Sequence, residues 1–202
     1  MRKLFLLVFT FIFFPLSWII SDAEAILIDW GGGLVYDDTQ KITWLQDANY
    51  ANTAGYDDII YGLDTDGTMR WSDAMTWADG LIYQGYNDWR LPTTDEVCYG
   101  PTPCATSEMG YVYWVDGIRA TSPSPFFNVR PGAYWSSTVF EGSIPWYFPF
   151  SDGSQGIDSQ NPRFYAWAVR DGDSRPVPEP ATLFLLGMGL AGVVAMGVKF
   201  VA

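Results

Sequence analysis

Histidine is absent from this 202-residue sequence, cysteine occurs twice, and Lys plus Arg number 11 against 23 Asp plus Glu. Each shortage removes a chemistry. Without histidine there is no Ser-His-Asp or Cys-His catalytic group, no imidazole base near neutral pH and no His-ligated zinc. Two thiols with no histidine are too few for a zinc site. The formal net charge of −12 repels polyanions, which excludes nucleic acid as a partner and disfavours sulfated or anionic-lipid surfaces. What the chain has in quantity is apolar and aromatic: 49% of residues are hydrophobic, 17% are aromatic, and there are 10 tryptophans.

Much of the apolar content sits at the two ends. Residues 4–20 form an apolar run that follows Arg2 and Lys3 and leads to Ala23-Glu24-Ala25. A basic start, an apolar core and a small-x-small site make a secretory signal peptide, with cleavage expected after Ala25; a retained anchor is the alternative. At the other end residues 181–198 carry no charge, and as a helix rising ~1.5 Å per residue they would cover roughly 27 Å, close to the hydrocarbon thickness of a bilayer. This segment is expected to be a transmembrane helix that holds the precursor in the membrane. Between the ends, residues 26–176 have the length of a single globular domain. In an exported chain Cys98 and Cys104 meet an oxidising compartment and are expected to pair, clamping a short turn with two prolines for about 2–3 kcal/mol.

Along the domain, which opens with Ile26–Trp30 and three glycines, Leu34–Asp37 and Ile42–Leu45 are two short apolar runs separated by a polar four-residue turn, which predicts a β-hairpin. Residues 50–67 read as a loop. Trp71, Ala74, Met75, Ala78, Leu81 and Ile82 repeat at helical spacing, with Thr68 or Ser72 as the cap and Gly85 beyond the end. Thr93 and Glu96 have the spacing of a capping box, predicting a short second helix from Thr94, and a third is expected from Glu108 to about Val115. The last third is β in character at Tyr134–Val139, Trp146–Phe150 and Tyr165–Arg170, with Pro149 demanding an edge position or a bulge. The fold class is therefore α+β, short helices packed on antiparallel strands.

Several of these segments occur in a distinctive order: Gly33-Leu34-Val35-Tyr36-Asp37, Ile42-Thr43-Trp44-Leu45, Trp71 with Ala74 and Trp77-Ala78, Trp89-Arg90-Leu91-Pro92-Thr93, Tyr134-Trp135-Ser136-Ser137-Thr138 and Ala166-Trp167-Ala168-Val169-Arg170. The set resembles the exported bacterial domain family named for the C-terminal domain of the Legionella collagen-like adhesin. Its Arg-Leu-Pro-Thr stretch is also similar to that of formylglycine-generating-type domains, and that likeness implies a C-type-lectin-like fold. The tail Val177-Pro178-Glu179-Pro180 before an apolar span resembles the Pro-Glu-Pro C-terminal sorting signal of Gram-negative producers of exopolysaccharide. That resemblance implies the export machinery and an exosortase-type processing enzyme as partners, and a membrane-anchored precursor that ends in the periplasm, at the cell surface or in the extracellular matrix. The chain departs from this pattern after the span, where Lys199 is the only charge.

Candidate sites are sparse. Asp64 and Asp66, in Asp64-Thr65-Asp66-Gly67, alternate before a glycine and offer hard oxygens to calcium, the one cofactor the pattern admits. The stretch lacks most of a calcium loop, and a plain Asp-Gly turn accounts for it as well. Trp44, Trp77, Trp89 and Trp167 lie inside the ordered motifs and are expected in the core. Trp114, Trp135 and Trp146 lie near loops or strand ends and are the candidates for a platform on which sugar rings stack, with core packing the competing role. Arg90 is expected to pair with a carboxylate. A glycosidase would need two carboxylates held across a sugar, and the sequence selects no pair. Formylglycine-generating enzymes use cysteine or copper chemistry that has no equivalent here, so no enzymatic activity is expected. The expectation is an adhesin-like binding module of the envelope or matrix, with polysaccharide as the ligand class; a structural matrix protein and a carboxylate-based hydrolase are the alternatives.

Overall fold

The computed structural model describes residues 26–56 and 66–175. Cleavage at Ala25, the ligand role of Asp64, the Pro178-Glu179-Pro180 motif and the expected span at 181–198 all lie outside the described residues. Among the described residues no helix is long and apolar enough to cross a membrane.

Among the described residues, nine strands and three short helices make an α+β fold that is mostly sheet. Strands β2 (Leu34–Asp37) and β3 (Ile42–Leu45) form the expected hairpin, β1 (Leu27–Gly31) pairs with β2 to extend it to a meander, and β9 (Val169–Asp171) adds antiparallel to β3, giving the order β1-β2-β3-β9. The second sheet has the order β4-β8-β5-β6-β7, built from Thr68–Met69, Phe164–Tyr165, Ala133–Phe140, Ile144–Pro149 and Gly156–Ile157. Its pairs are antiparallel except β5 with β8, which is parallel. Pro149 closes β6 beyond the stretch that pairs with β7, so its missing N–H breaks no ladder, and β5 carries an irregularity between Trp135 and Val139.

The expected single strand Tyr165–Arg170 is corrected to two. Phe164–Tyr165 belongs to one sheet and Val169–Asp171 to the other, and the fully buried Ala166-Trp167-Ala168 carries the chain between them. The crossing puts Trp167 at the centre of the core. Its ring lies 4.7 Å from Trp44, 4.9 Å from Phe126, 5.7 Å from Phe150 and 5.9 Å from Tyr134, and its Nε1 donates to Leu45 O at 2.7 Å. Trp44, Trp77 and Trp89 are also buried. Aromatic side chains each remove about 150–250 Å² from water, so this cluster supplies much of the driving force for joining the sheets.

The described residues hold three helices: α1 (Tyr50–Thr53), α2 (Trp71–Asp79) and α3 (Glu108–Trp114). Helix α1 falls where a loop was expected. Helix α2 turns Ala74, Trp77 and Ala78 inward as the periodicity predicts, but it stops at Gly80, short of the predicted Leu81 and Ile82, because glycine forfeits helix propensity and Leu81 N closes back on Ala78 O. Ile82 is left 75% exposed. Neither predicted cap is used. Arg70 takes the N-cap position without a side-chain cap, while Thr68 is drawn into β4 and its hydroxyl donates to Asp66 Oδ1.

The helix expected from Thr94 does not form. Its first-turn amides are claimed from elsewhere: Thr93 N donates to Glu108 Oε2 at 2.7 Å, Thr94 N to Thr138 Oγ1 at 2.9 Å and Asp95 N to Ser107 Oγ at 2.8 Å. Tertiary partners replace the capping box, and no helix starts there. Pro92 O accepts from Ser137 N and from Ser136 Oγ, which ties the Trp-Arg-Leu-Pro-Thr stretch to β5. Arg90 pairs backbone to backbone with Val169, and its guanidinium grips Glu108 in a fork at 2.7 and 2.8 Å and reaches Asp171 at 2.5 Å. Burial opposes this charge, and the two carboxylates more than offset it, raising the pKa of Arg90. The ordered motifs are thus joints of the scaffold.

Candidate functional site

The residues expected to form a sugar platform do not present one. Trp135 is fully buried, its Nε1 donates to Met69 O at 2.8 Å, and its ring is covered by Phe164 at 4.4 Å. Trp146 is 2% exposed, with Tyr99 edge-on above it at 5.8 Å. Trp114 is half-buried, donates to Gly153 O at 3.0 Å and packs against Tyr113 at 4.9 Å. Both Trp135 and Trp146 are corrected to buried residues, on opposite faces of the sheet: Trp135 pairs across with Tyr147 and is covered by Phe164, and Trp146, on the face of Phe148, lies under Tyr99 of the disulfide loop. The three do not converge on one surface.

Cys98 and Cys104 form the expected disulfide, with Cα atoms 5.7 Å apart. It clamps a loop whose Tyr99 is 64% exposed and whose Gly100 pairs with Gln155 beside β7. Asp66 is engaged within its own turn. Its Oδ1 accepts from Thr68 N at 3.1 Å and Thr68 Oγ1 at 2.7 Å; partial burial works against the charge, but these bonds and the Arg163 charge hold the carboxyl below its usual range. Among the described residues no three His, Cys, Asp or Glu side chains gather as metal ligands.

The aromatics that do line open space are others. A concavity of about 220 Å³ is walled by Tyr50, Tyr83, Phe127, Leu45 and Thr53, with Asp47 in its lining. A second of about 400 Å³ shares Tyr50 and runs past Tyr56, Trp77, Leu81 and Ile82. Each wall has a local cause. Residues 125–128 are pinned along residues 46–48: Phe127 N donates to Gln46 O, Ala48 N to Phe127 O, and Gln46 Nε2 to Pro125 O. This stands Phe127 beside Asp47 with 46% of its surface exposed. Tyr83 leans against the β1–β2 turn, its Oη donating to Gly32 O at 3.0 Å, and its ring meets Tyr50 edge-on at 5.0 Å. Gly33 makes that approach feasible. Its φ is +82°, and a Cβ there would lie 2.1 Å from Tyr83 Oη. Burial pushes the Tyr83 phenol up, and Tyr50 and Asp47 add to the shift.

Asp47 is 6% exposed. Its Oδ1 accepts from Asn49 N at 2.9 Å and Asn128 Nδ2 at 3.0 Å, and its Oδ2 accepts from Thr53 Oγ1 at 2.6 Å. Sequence reasoning did not select Asp47, Tyr50, Tyr83 or Phe127. The available signal was Tyr83 and Tyr86 inside the glycine-flanked stretch 80–86, where a large ring has little local structure to bury it.

A small, mostly-sheet α+β domain with an aromatic-walled concavity beside the β1–β2 turn is the class these features define. Its family is shown by comparison: the Lcl C-terminal domain matches residues 33–170, and the chain belongs to that family. The PEP-CTERM protein-sorting motif matches residues 176–198, directly after the described domain, and marks an exported protein with a membrane-anchored precursor recognised by an exosortase-type enzyme. No curated protein and no solved structure matches the chain.

Proposed function

We propose that the protein is a non-enzymatic binding module of the cell envelope or extracellular matrix, adhesin-like in role, that takes polysaccharide across the concavities sharing Tyr50. The observation that carries this reading is the exposure of Phe127 with Tyr50 and Tyr83 around a formed cavity, since sugar rings bind flat apolar faces bordered by a few fixed polar groups. The sorting motif supports placement outside the cytoplasm in an exopolysaccharide-producing envelope. A C-type-lectin-like architecture is part of the proposal and rests on the Trp-Arg-Leu-Pro-Thr resemblance. Absence of catalysis is supported by the lining: of the described residues that border the two concavities, Asp47 is the one carboxylate, and glycoside hydrolysis in its common form needs two.

The test is incubation of the purified protein with neutral, amino and anionic polysaccharides, in calcium or chelator, recording binding together with the size of the recovered glycan. Saturable binding with intact glycan is expected. Shortened glycan would establish a hydrolase, loss of binding in chelator would make Asp64 and Asp66 metal ligands, and no binding across the panel would favour a purely structural matrix role.

A further inference from the structure

Asp47 has an unusual position for a charged group. It lines the smaller concavity, its exposure is only 6%, and every one of its partners is a neutral donor: a backbone amide, an asparagine amide and a threonine hydroxyl. A carboxylate offers about four lone-pair sites, so three donors leave one free, on Oδ2. Charges this well buried are ordinarily paired with an opposite charge, and no ion pair of Asp47 occurs among the described residues. The surrounding wall adds to the demand. Tyr50, Tyr83 and Phe127 supply aromatic faces or edges around the same space, and aromatic faces attract ammonium groups. The chain's net charge of −12 raises the local concentration of cations and repels uronic or sulfated sugars.

We propose that the Asp47 concavity is an ammonium pocket, which takes the protonated amine of a free amino sugar in a polysaccharide chain, with the sugar ring against Phe127. This rests on the polysaccharide reading above and narrows it to a ligand class. An N-acetylated sugar would fit less well, because acetylation removes the positive charge. The volume of about 220 Å³ suits one substituted sugar unit, and the neighbouring concavity across Tyr50 would receive the next part of the chain.

The experiment titrates the full-length protein in detergent with two probes, a short glucosamine oligomer and the same oligomer fully N-acetylated, and includes Glu141→Gln, which removes one exposed carboxylate outside both concavities and reads only the overall acidic field. The glucosamine oligomer is expected to bind at least about 10-fold more tightly than its acetylated form, a difference of ~1.4 kcal/mol. Asp47→Asn should abolish that preference, while Glu141→Gln, with the same change of net charge, should leave it intact. Since an amide in place of the carboxylate could disturb the donors around it, the melting curve of the Asp47→Asn variant is recorded, and Phe127→Ala serves as a second variant at an exposed wall; it should weaken both sugar probes. Equal binding of the two sugars by the unaltered protein would overturn the ammonium pocket and leave the polysaccharide reading standing. A preference that survives both Asp47→Asn and Phe127→Ala would overturn it as well, assigning the effect to the general field. If neither sugar oligomer nor any polysaccharide binds, both readings fall together.

Discussion

Two groups of aromatic rings can be compared within this one small domain. Around Trp167, the rings of Trp44, Phe126, Tyr134 and Phe150 stand within 6 Å, all at 3% exposure or less. Around Asp47, Tyr50 and Tyr83 touch at 5.0 Å, but Phe127 next to them keeps 46% of its surface in water. The residue types are alike. The difference lies in what backs them: the first group closes the gap between two sheets, while the second hangs from a turn, a four-residue helix and a loop, and Phe127 there remains exposed among the described residues. Rings that join layers are held on all sides and serve stability, whereas rings held along one edge are free to contact a ligand.

The comparison can be broken most forcefully at its centre. Trp167→Ala should cost about 3–5 kcal/mol, from the cavity it leaves and the unpaired carbonyl of Leu45, measured by denaturant unfolding. A loss below ~1 kcal/mol would show that the inner rings do not carry the fold. Arg90→Ala should come next, at about 2–3 kcal/mol, because it strips the largely buried Glu108 of its fork and removes a tie to β9 through Asp171. High salt should mimic only the small, exposed Asp171 part of that loss.

A smaller effect concerns pH. Both carboxylate oxygens of Asp116 are buried without a partner; burial first, and the nearby Asp37 charge second, push its carboxyl up to about 7. The folded state then holds a proton between about pH 4 and 7 that the unfolded chain has released, so this group lowers stability as pH rises through that window. Partial exposure screens the effect, leaving roughly 1 kcal/mol. Asp116→Asn should flatten the pH dependence of the unfolding midpoint over that range and raise stability above it; an unchanged profile would refute the assignment. Smallest of all, Phe127→Ala should change stability by less than ~0.5 kcal/mol, as a half-exposed ring lacks the burial to matter. A large loss there would erase the distinction between inner and outer rings.

Along the chain, local patterns announced the hairpin of β2 and β3, the inward face of α2, the third helix and the disulfide, since each depends on neighbours a few residues apart. The core role of Trp44, Trp77, Trp89 and Trp167 was legible through the motifs, and so was the ion pairing of Arg90. Local signals misled where distant groups competed for the same atoms. The Thr93–Glu96 capping box was outbid by Glu108, Thr138 and Ser107, and the strand predicted at Tyr165–Arg170 was split because its halves pair with different sheets.

Export, sorting and family were determined by the linear sequence, because signal peptides, sorting motifs and ordered family segments are read as strings of residues. Which aromatics face water was decided by tertiary structure alone. Burial depends on whether another element packs over a side chain, and that is a property of segments far apart in the chain: Phe164 covers Trp135 and Tyr99 covers Trp146, whereas Phe127, pinned beside Asp47 by bonds between distant segments, keeps 46% of its surface exposed.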